Sequence, residues 1–484
     1  MAHSNCSCNQ RRAAVNRVLG LTPKPTDKGL RRLRQTAKRI KYLLPKTRTA
    51  PWGEMAKCYS GAKRAKYERA AAKRLMTGDM RKYSNVRLFV KFELKDPLDQ
   101  DGVSKKPNPD PRAIQFRAAE YCVDIARFLK PMEHFLYELK GNGKILPPGR
   151  VIGKGLSQRG RACLLAKKWQ RFVSPIAVII DASRFDKHVS RELLQLEHSI
   201  YEWMNSDPHF AKLLREQLKN TVYGSHGFKY RTNGRRMSGD MNTALGNCVI
   251  MVIMVATVLG KYAKWDMIDD GDDCVLLIER SDYDDLMDRI EDEFLEFGFK
   301  IKVESVADEL EHVDWCQSRP VQVDEGDYQF VRNYRKVFSN TLGGTKFNCV
   351  SEKFRRRHVA TIGKAELILN LGVPVLQEYA LALIRNAGAD PMVLTQDQGL
   401  FYRVKYELRE RDGKWVDKIN PKPIKDSARL SFWRAYGVTP MAQRRMEERL
   451  KTWTFQFTGD VEQPYSRDGE WRGIPLPFEL SPSG

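Results

Sequence analysis

The period of the apolar positions changes repeatedly along the chain, and each period predicts an element. In "TDKGLRRLRQTAKRIKYLL", Leu30, Leu33, Ala37, Ile40 and Leu44 recur at steps of three and four, with Thr26 placed to cap a helix. Arg and Lys fill much of its other face, so the helix packs on a body with its basic side in water, binds RNA, or lies on an anionic membrane. "VSPIAVIID" (173–181) is an apolar run ending in an acid and predicts a buried strand. "SRELLQLEHSIYEWM" (190–204) and the stretch from about Asp240 to Leu259 predict helices. "WDMID" and "CVLLIER" predict short strands on either side of an acidic turn, followed by an amphipathic helix over 282–298 and the strand "KIKVES". Helical patterns dominate from about 355 to 450, while 97–111 and the Pro- and Gly-rich end of the chain read as irregular.

Composition narrows the picture. The 484 residues are 42% hydrophobic and 10% aromatic, which supports folded subdomains sharing a large core. The formal charge is +23, and residues 1–85 carry 22 Lys+Arg against 4 Asp+Glu, so a polyanionic partner is the first expectation. The run Cys248–Leu259 is shorter than the ~20 residues that span a bilayer and predicts a buried helix. The cysteines are odd in number (9), show no CxxC spacing and follow no signal peptide, as expected in a reducing compartment. Cys6-Ser-Cys8 has no second pair nearby to complete a metal site, and a disordered terminus is expected there.

"WDMIDDGDDCVLLIER" places four aspartates in five positions between two apolar runs. Carboxylates that close repel one another unless a cation lies among them. Hard divalent ions favour carboxylate oxygens, and a second strand-end acid, Asp181, is available in "VIIDASRFD". Two such acids on neighbouring strand ends could hold two ions about 4 Å apart, the arrangement that clamps an in-line phosphoryl transfer. By composition alone Gly-Asp-Asp turns up in on the order of one chain in ten of this size, so the turn needs company. "RRMSGDMNTALGNC" (235–248) supplies it. At a helix start Thr243 and Asn247 lie one turn apart on one face, and Asn offers the donor and acceptor that suit a 2′-hydroxyl.

D-x4-D (Asp181, Asp186), then S-G-x3-T-x3-N, then G-D-D, in that order, resembles the signature of palm-type RNA-dependent RNA polymerases of positive-strand RNA viruses. "KGLSQRGRACLLAKKW", "IDASRFDKHVS", "SGDMNTALGNC" and "DGDDCVLLIER" look like the tombusvirus group with its luteovirus and umbravirus relatives, from about Val90 to Val321 and more loosely to residue 440. The resemblance implies an α+β right-hand fold: a basic helical region over 1–85, fingers over 86–172 with an insertion near 191–236, a palm with an antiparallel sheet over 173–322, and a helical thumb over 323–484.

The same resemblance implies roles. Asp181 and Asp272 become the principal ligands of two Mg²⁺ or Mn²⁺ ions, with Asp273 beside them. Asp186 and Asn247 check the ribose 2′-hydroxyl, and Ser238, Gly239 and Thr243 touch template and nucleotide. Lys91, Lys95, Arg112 and Arg117, with Glu93 among them, resemble the basic motif lining the nucleotide tunnel. The general acid for pyrophosphate departure falls on Lys300 or Lys302, which strand alternation puts on one face; the family pattern favours Lys302. "DWCQSRPV" matches the hairpin that grips the nascent strand, with Cys316 there as packing. Implied partners are RNA template, nascent RNA and NTPs, with other viral or host replication proteins, in host cytoplasm and peripheral to membrane-bound replication sites. Membrane recruitment would need the basic helix or another protein, since larger relatives carry anchoring segments and the first 85 residues show no span. Initiation is expected de novo. Two other readings stand beside this one. A reverse transcriptase would share the carboxylates but block the 2′-hydroxyl, and a non-enzymatic RNA-coating protein would use the basic arm but leave the acidic turn unexplained.

Overall fold

The computed structural model describes residues 3–59, 61–77, 81–91, 110–342, 351–392, 398–410 and 419–455. The expected loop at 97–111 lies almost wholly outside these, as do Glu93, Lys95, Cys349 and the Pro-rich end. The longer strands are β1 (Val86–Val90), β2 (Ala113–Arg117), β3 (Pro175–Ala182), β4 (Lys219–Tyr223), β5 (Lys229–Asn233), β6 (Trp265–Asp269), β7 (Asp273–Glu279), β8 (Ile301–Ala307), β9 (Ser318–Asp324) and β10 (Asp327–Arg332). One sheet has the order β2-β1-β4-β5, antiparallel except for the β1–β4 pair, which is parallel. The central sheet, β8-β3-β7-β6, is antiparallel throughout. β9 and β10 form a separate hairpin.

The central strands read as unbroken apolar runs because both faces of their sheet are covered. Ile176, Val178, Ile180, Cys274, Leu276 and Ile278 enter the largest core, while Ala177, Ile179, Val275 and Leu277 enter a second one with Trp315 and Phe330. The helix Thr243–Leu259 crosses the first face and is buried nearly all round, which accounts for its featureless hydrophobicity.

Helices beside it complete that core. We label Ser7–Ala14 α1, Asp27–Lys41 α2, Arg191–Met204 α3, Thr243–Leu259 α4 and Tyr283–Glu296 α5. Packing is the fate of the basic helix α2. Thr26 Oγ1 accepts the Gly29 N–H at 3.0 Å as the cap, and Leu33, Ala37 and Ile40 join the main core. Arg32 pairs with Glu293 at 2.5 Å and Glu296 at 3.3 Å on α5. Gly29 approaches so closely that a Cβ there would lie 2.3 Å from the Glu296 carbonyl oxygen. The basic segment is therefore part of the body, with its charge on the outer face.

The expectation of a disordered terminus around Cys6 is corrected. Cys6 Sγ accepts the Asn9 N–H at 3.4 Å to start α1, and Ala14 and Val18 pack with Val86, Leu88, Val222 and Tyr230. The eight described cysteines are free thiols. Helices Glu352–Leu369, Leu376–Ala387, Gln398–Glu410, Asp426–Tyr436 and Pro440–Thr452 realise the pattern read over 355–450. They share a core with Val321 and Val331 of the β9–β10 hairpin. No described helix is long and apolar enough to cross a membrane.

Candidate active site

The acids meet at one end of the central sheet. Asp181, near the end of β3, is the register partner of Asp273 at the start of β7 and of Lys302 on β8. Residues paired directly across antiparallel strands present their side chains on one face, so Lys302, Asp181 and Asp273 form a row across three strands. The Ala182 N–H donates to the Asp272 carbonyl at 3.2 Å, which ties the acidic turn to the end of β3. Burial, and then the neighbouring Asp272 and Asp181 carboxylates, push Asp273 up to about 6. Burial followed by Asp272 raises Asp181, against the opposing pull of the Ser183 hydroxyl and Lys302.

The four aspartates of the turn divide into two pairs of opposite character. Asp269 is fully buried, with one carboxylate oxygen accepting the Gly271 N–H at 2.9 Å; burial raises its pKa well above the ordinary range. Gly271 has φ +97°, a conformation that suits glycine. Asp270 is neutralised from outside the turn by Lys154 and by Arg161 at 2.8 Å. Asp272 and Asp273 are left facing Asp181. Two of the four charges are thus structural, and only the other two call for a cation.

The donor set fits divalent ions. Three carboxylates destabilise one another at one place, with Glu304 adding to the repulsion on Asp273, and one exposed lysine, Lys302, opposes the charge on Asp181. Among the described residues no group of three or more His, Cys, Asp or Glu is placed to hold a metal ion by itself. An ion shared with substrate phosphates needs only one or two protein carboxylates.

Between Asp181 and Asp186 the backbone turns through Arg184 in the left-handed region (φ 56°), which swings Asp186 away from the strand towards α4. There Asn247 Nδ2 donates to Asp186 Oδ1 at 3.0 Å. Burial is the largest influence on Asp186 and raises its pKa; the Asn247 hydrogen bond, Arg236 and Arg112 act the other way. Asp272 also acts on it, so the Asp186–Asn247 pair lies within electrostatic reach of the acid row.

The structure separates the two candidate lysines. Lys302 acts on Asp181 and Glu304. Lys300 precedes the strand and acts on Lys187 and His188 instead. Ser238 and Gly239 lie in the loop that enters α4, and Thr243 is the first residue of that helix. The Ser238 hydroxyl donates to Ala113 O and accepts the Gln115 N–H on β2, and a Cβ at Gly239 would lie 2.6 Å from Gln115 O. Thr243 Oγ1 is turned back on the Met237 and Asp240 carbonyls. Side chains expected at nucleotide and template thus hold the loop itself. Arg112 is exposed beside β2, and the Lys91 N–H donates to its carbonyl at 2.7 Å.

Arg117 is a correction. Expected to line the nucleotide tunnel, it is 3% exposed and donates to Asp240 at 2.7 Å, to Asn220 at 2.5 Å and to Ser84 O. Its alternation on β2 points it into the sheet interior, away from solvent. Sequence reading missed Glu304, though it lies two residues from Lys302 at strand spacing. It also missed Glu197 and Arg236, for which only proximity in space gives a signal.

With this geometry in place, the comparisons are direct. A family model described as viral RNA dependent RNA polymerase matches residues 1–458, and the chain belongs to that family. Its relatives are proteins named RNA-directed RNA polymerase from the tombusvirus group and its neighbours. One from maize chlorotic mottle virus is 36% identical over 82% of this chain and 40% of its own length. One from tobacco necrosis virus (strain D) is 33% identical over 92% of the chain and 62% of its own length. One from groundnut rosette virus is 32% identical over 84% and 47%. The chain thus spans about half the length of the curated relatives it matches.

Proposed function

We propose that this protein joins ribonucleoside triphosphates on an RNA template, copying the genome of a positive-strand RNA virus. The observation that supports it most is the Lys302–Asp181–Asp273 row with Asp272 at its edge, within electrostatic reach of the hydrogen-bonded pair Asp186 and Asn247. In this reading the central sheet with α4 and α5 is the palm, the β2-β1-β4-β5 sheet and the 191–236 insertion with α3 belong to the fingers, and the C-terminal helices are the thumb.

Asp181 and Asp272 would hold two Mg²⁺ or Mn²⁺ ions, with Asp273 beside them. When bound, the ions lower the cost of the attacking 3′-oxygen and the developing phosphate charge. Lys302 donates a proton to the departing pyrophosphate, where a positioned acid contributes about 10²–10⁴ in rate. Arg112 meets triphosphate oxygens as a fork of donors. Asp186 and Asn247 accept and donate to the 2′-hydroxyl, which a reverse transcriptase would exclude. Template and nascent RNA run past the β9–β10 hairpin, initiation is de novo, and other viral or host proteins bring the enzyme to membrane-bound replication sites in the cytoplasm.

Purified protein given RNA template, labelled NTPs and Mg²⁺ incorporates label without a primer, and Asp272→Ala abolishes this. A variant that polymerises at the wild-type rate overturns the assignment of the acids. Preference for dNTPs over rNTPs overturns the choice of substrate.

A further inference from the structure

Behind Asn247 lies a buried polar chain that the reaction as described does not use. The Arg236 guanidinium is 2% exposed and Glu197 is fully buried; Arg236 Nη1 donates to Glu197 Oε1 at 3.2 Å, and Nη2 to Oε2. The third guanidinium nitrogen, Nε, donates to Asn247 Oδ1 at 3.1 Å. Glu197 also accepts from Asn242 Nδ2 at 2.8 Å, and Asn242 exchanges hydrogen bonds with Gln217 at 2.9 and 3.2 Å. α4 comes close enough for this only because residue 246 is glycine, where a Cβ would lie 2.2 Å from Glu197 Oε1 and 2.5 Å from Arg236 Nη2.

We infer that Arg236 is a positioning residue that fixes which way round the Asn247 amide faces, and so sets ribose selectivity. The inference rests on the ribose role of Asp186 and Asn247 proposed above. A side-chain amide has two ends of nearly equal shape, and only its neighbours decide which end is oxygen. Arginine has donors and no acceptor, so the Asn247 end against Arg236 Nε must be the oxygen. The amide nitrogen is thereby aimed at Asp186, a carboxylate that only accepts. One N–H of Asn247 is committed to Asp186 Oδ1. The second N–H and Asp186 Oδ2 are left to meet a hydroxyl that accepts from one and donates to the other. A 2′-deoxyribose offers neither. If Asn247 were free to flip, its oxygen would face Asp186, and the pair would repel instead of presenting a donor and an acceptor. The Arg236 N–H also donates to the Asp186 carbonyl at 3.0 Å, so one residue holds both members of the pair.

The test is a ratio measured within one preparation, kcat/KM for ATP over kcat/KM for 2′-dATP, which does not depend on how much of the sample is folded. Arg236→Lys and Arg236→Gln are each expected to lower that ratio by about tenfold, the worth of one hydrogen bond to a charged group. Asn242→Ala serves as the control: it loosens the same buried chain without touching Asn247, and its ratio stays at the wild-type value. An unchanged ratio in both Arg236 variants, or an equal fall in Asn242→Ala, overturns the positioning role. Asn247→Ala and Asp186→Ala report on the foundation separately. If they lower the ratio while the Arg236 variants do not, the ribose reading survives and this inference alone is lost. If neither lowers it, the ribose reading is itself at fault.

Discussion

Leu33→Ala is the sharpest test of whether the basic N-terminal segment is part of the enzyme's body. Leu33 is fully buried on the inner face of α2, in the core that α3, α4 and α5 share. The substitution removes three carbon atoms, worth about 2.4 kcal/mol at ~0.8 kcal/mol per buried methylene. A cavity between rigid helices adds to that and brings the expected loss to about 3–4 kcal/mol. With a urea m value of about 3 kcal/mol/M, the unfolding midpoint falls by about 1 M. Leu21→Ala is the matched control, because Leu21 is 99% exposed and its truncation should stay within about 0.5 kcal/mol. The measurement is equilibrium unfolding followed by tryptophan fluorescence and circular dichroism, with RNA synthesis assayed on the same samples. α2 touches α4 directly through the Thr36–Thr257 hydroxyl bond at 2.8 Å, so activity should fall with the folded fraction. Equal midpoints for Leu33→Ala and Leu21→Ala would refute the reasoning and return residues 1–85 to the status of an appendage.

Other consequences can be checked as directly. Lys302→Ala should lower the single-nucleotide incorporation rate by about 10²–10⁴ while Lys300→Ala leaves it near wild type; the reverse pattern exchanges their roles. Arg117→Met should destabilise by about 3–5 kcal/mol, since it strands the buried Asp240 carboxylate, yet leave the NTP KM of the folded fraction unchanged. A raised KM would put Arg117 back at the nucleotide. His198 is 5% exposed and burial pushes its pKa down to about 4, so the folded state holds it neutral. Its contribution, about 3 kcal/mol, is fully present above pH 6.5 and is lost as pH falls from there towards 4. His198→Gln should flatten that part of the stability profile, and an unchanged slope would assign it to other groups.

How much of this was legible depended on whether the signal was periodic or spatial. α2, β3, α3 and α5 announced themselves through apolar spacing and caps, because each has one or two faces that must be covered. The acid row was legible from motif order; strand pairing puts Lys302 in register with Asp181, a placement that alternation could not distinguish from Lys300. Arg117 misled because a basic residue in a basic stretch reads as a surface charge; its inward place on β2 depends on side-chain partners more than a hundred residues away, Asn220 on β4 and Asp240 ahead of α4. The Asp270 pair with Lys154 and Arg161 was illegible for the same reason. The chain shows four acids in a turn, while the two cations that answer Asp270 come from far upstream, Lys154 from a turn and Arg161 from the helix Gln158–Trp169. The β1–β4 parallel pairing leaves no local trace at all, since neither strand neighbours the other in sequence.

The seat of α2 also has a bearing on how the molecule is made. Its apolar face closes against α4 and α5, whose residues leave the ribosome some 200 to 260 positions later. At about 5–20 residues per second, a nascent chain carries that half-greasy, strongly cationic helix uncovered for about 10–50 s before its berth exists. During that interval every growing chain exposes the features that attract chaperones and nucleic acid, beside the very message that encodes it.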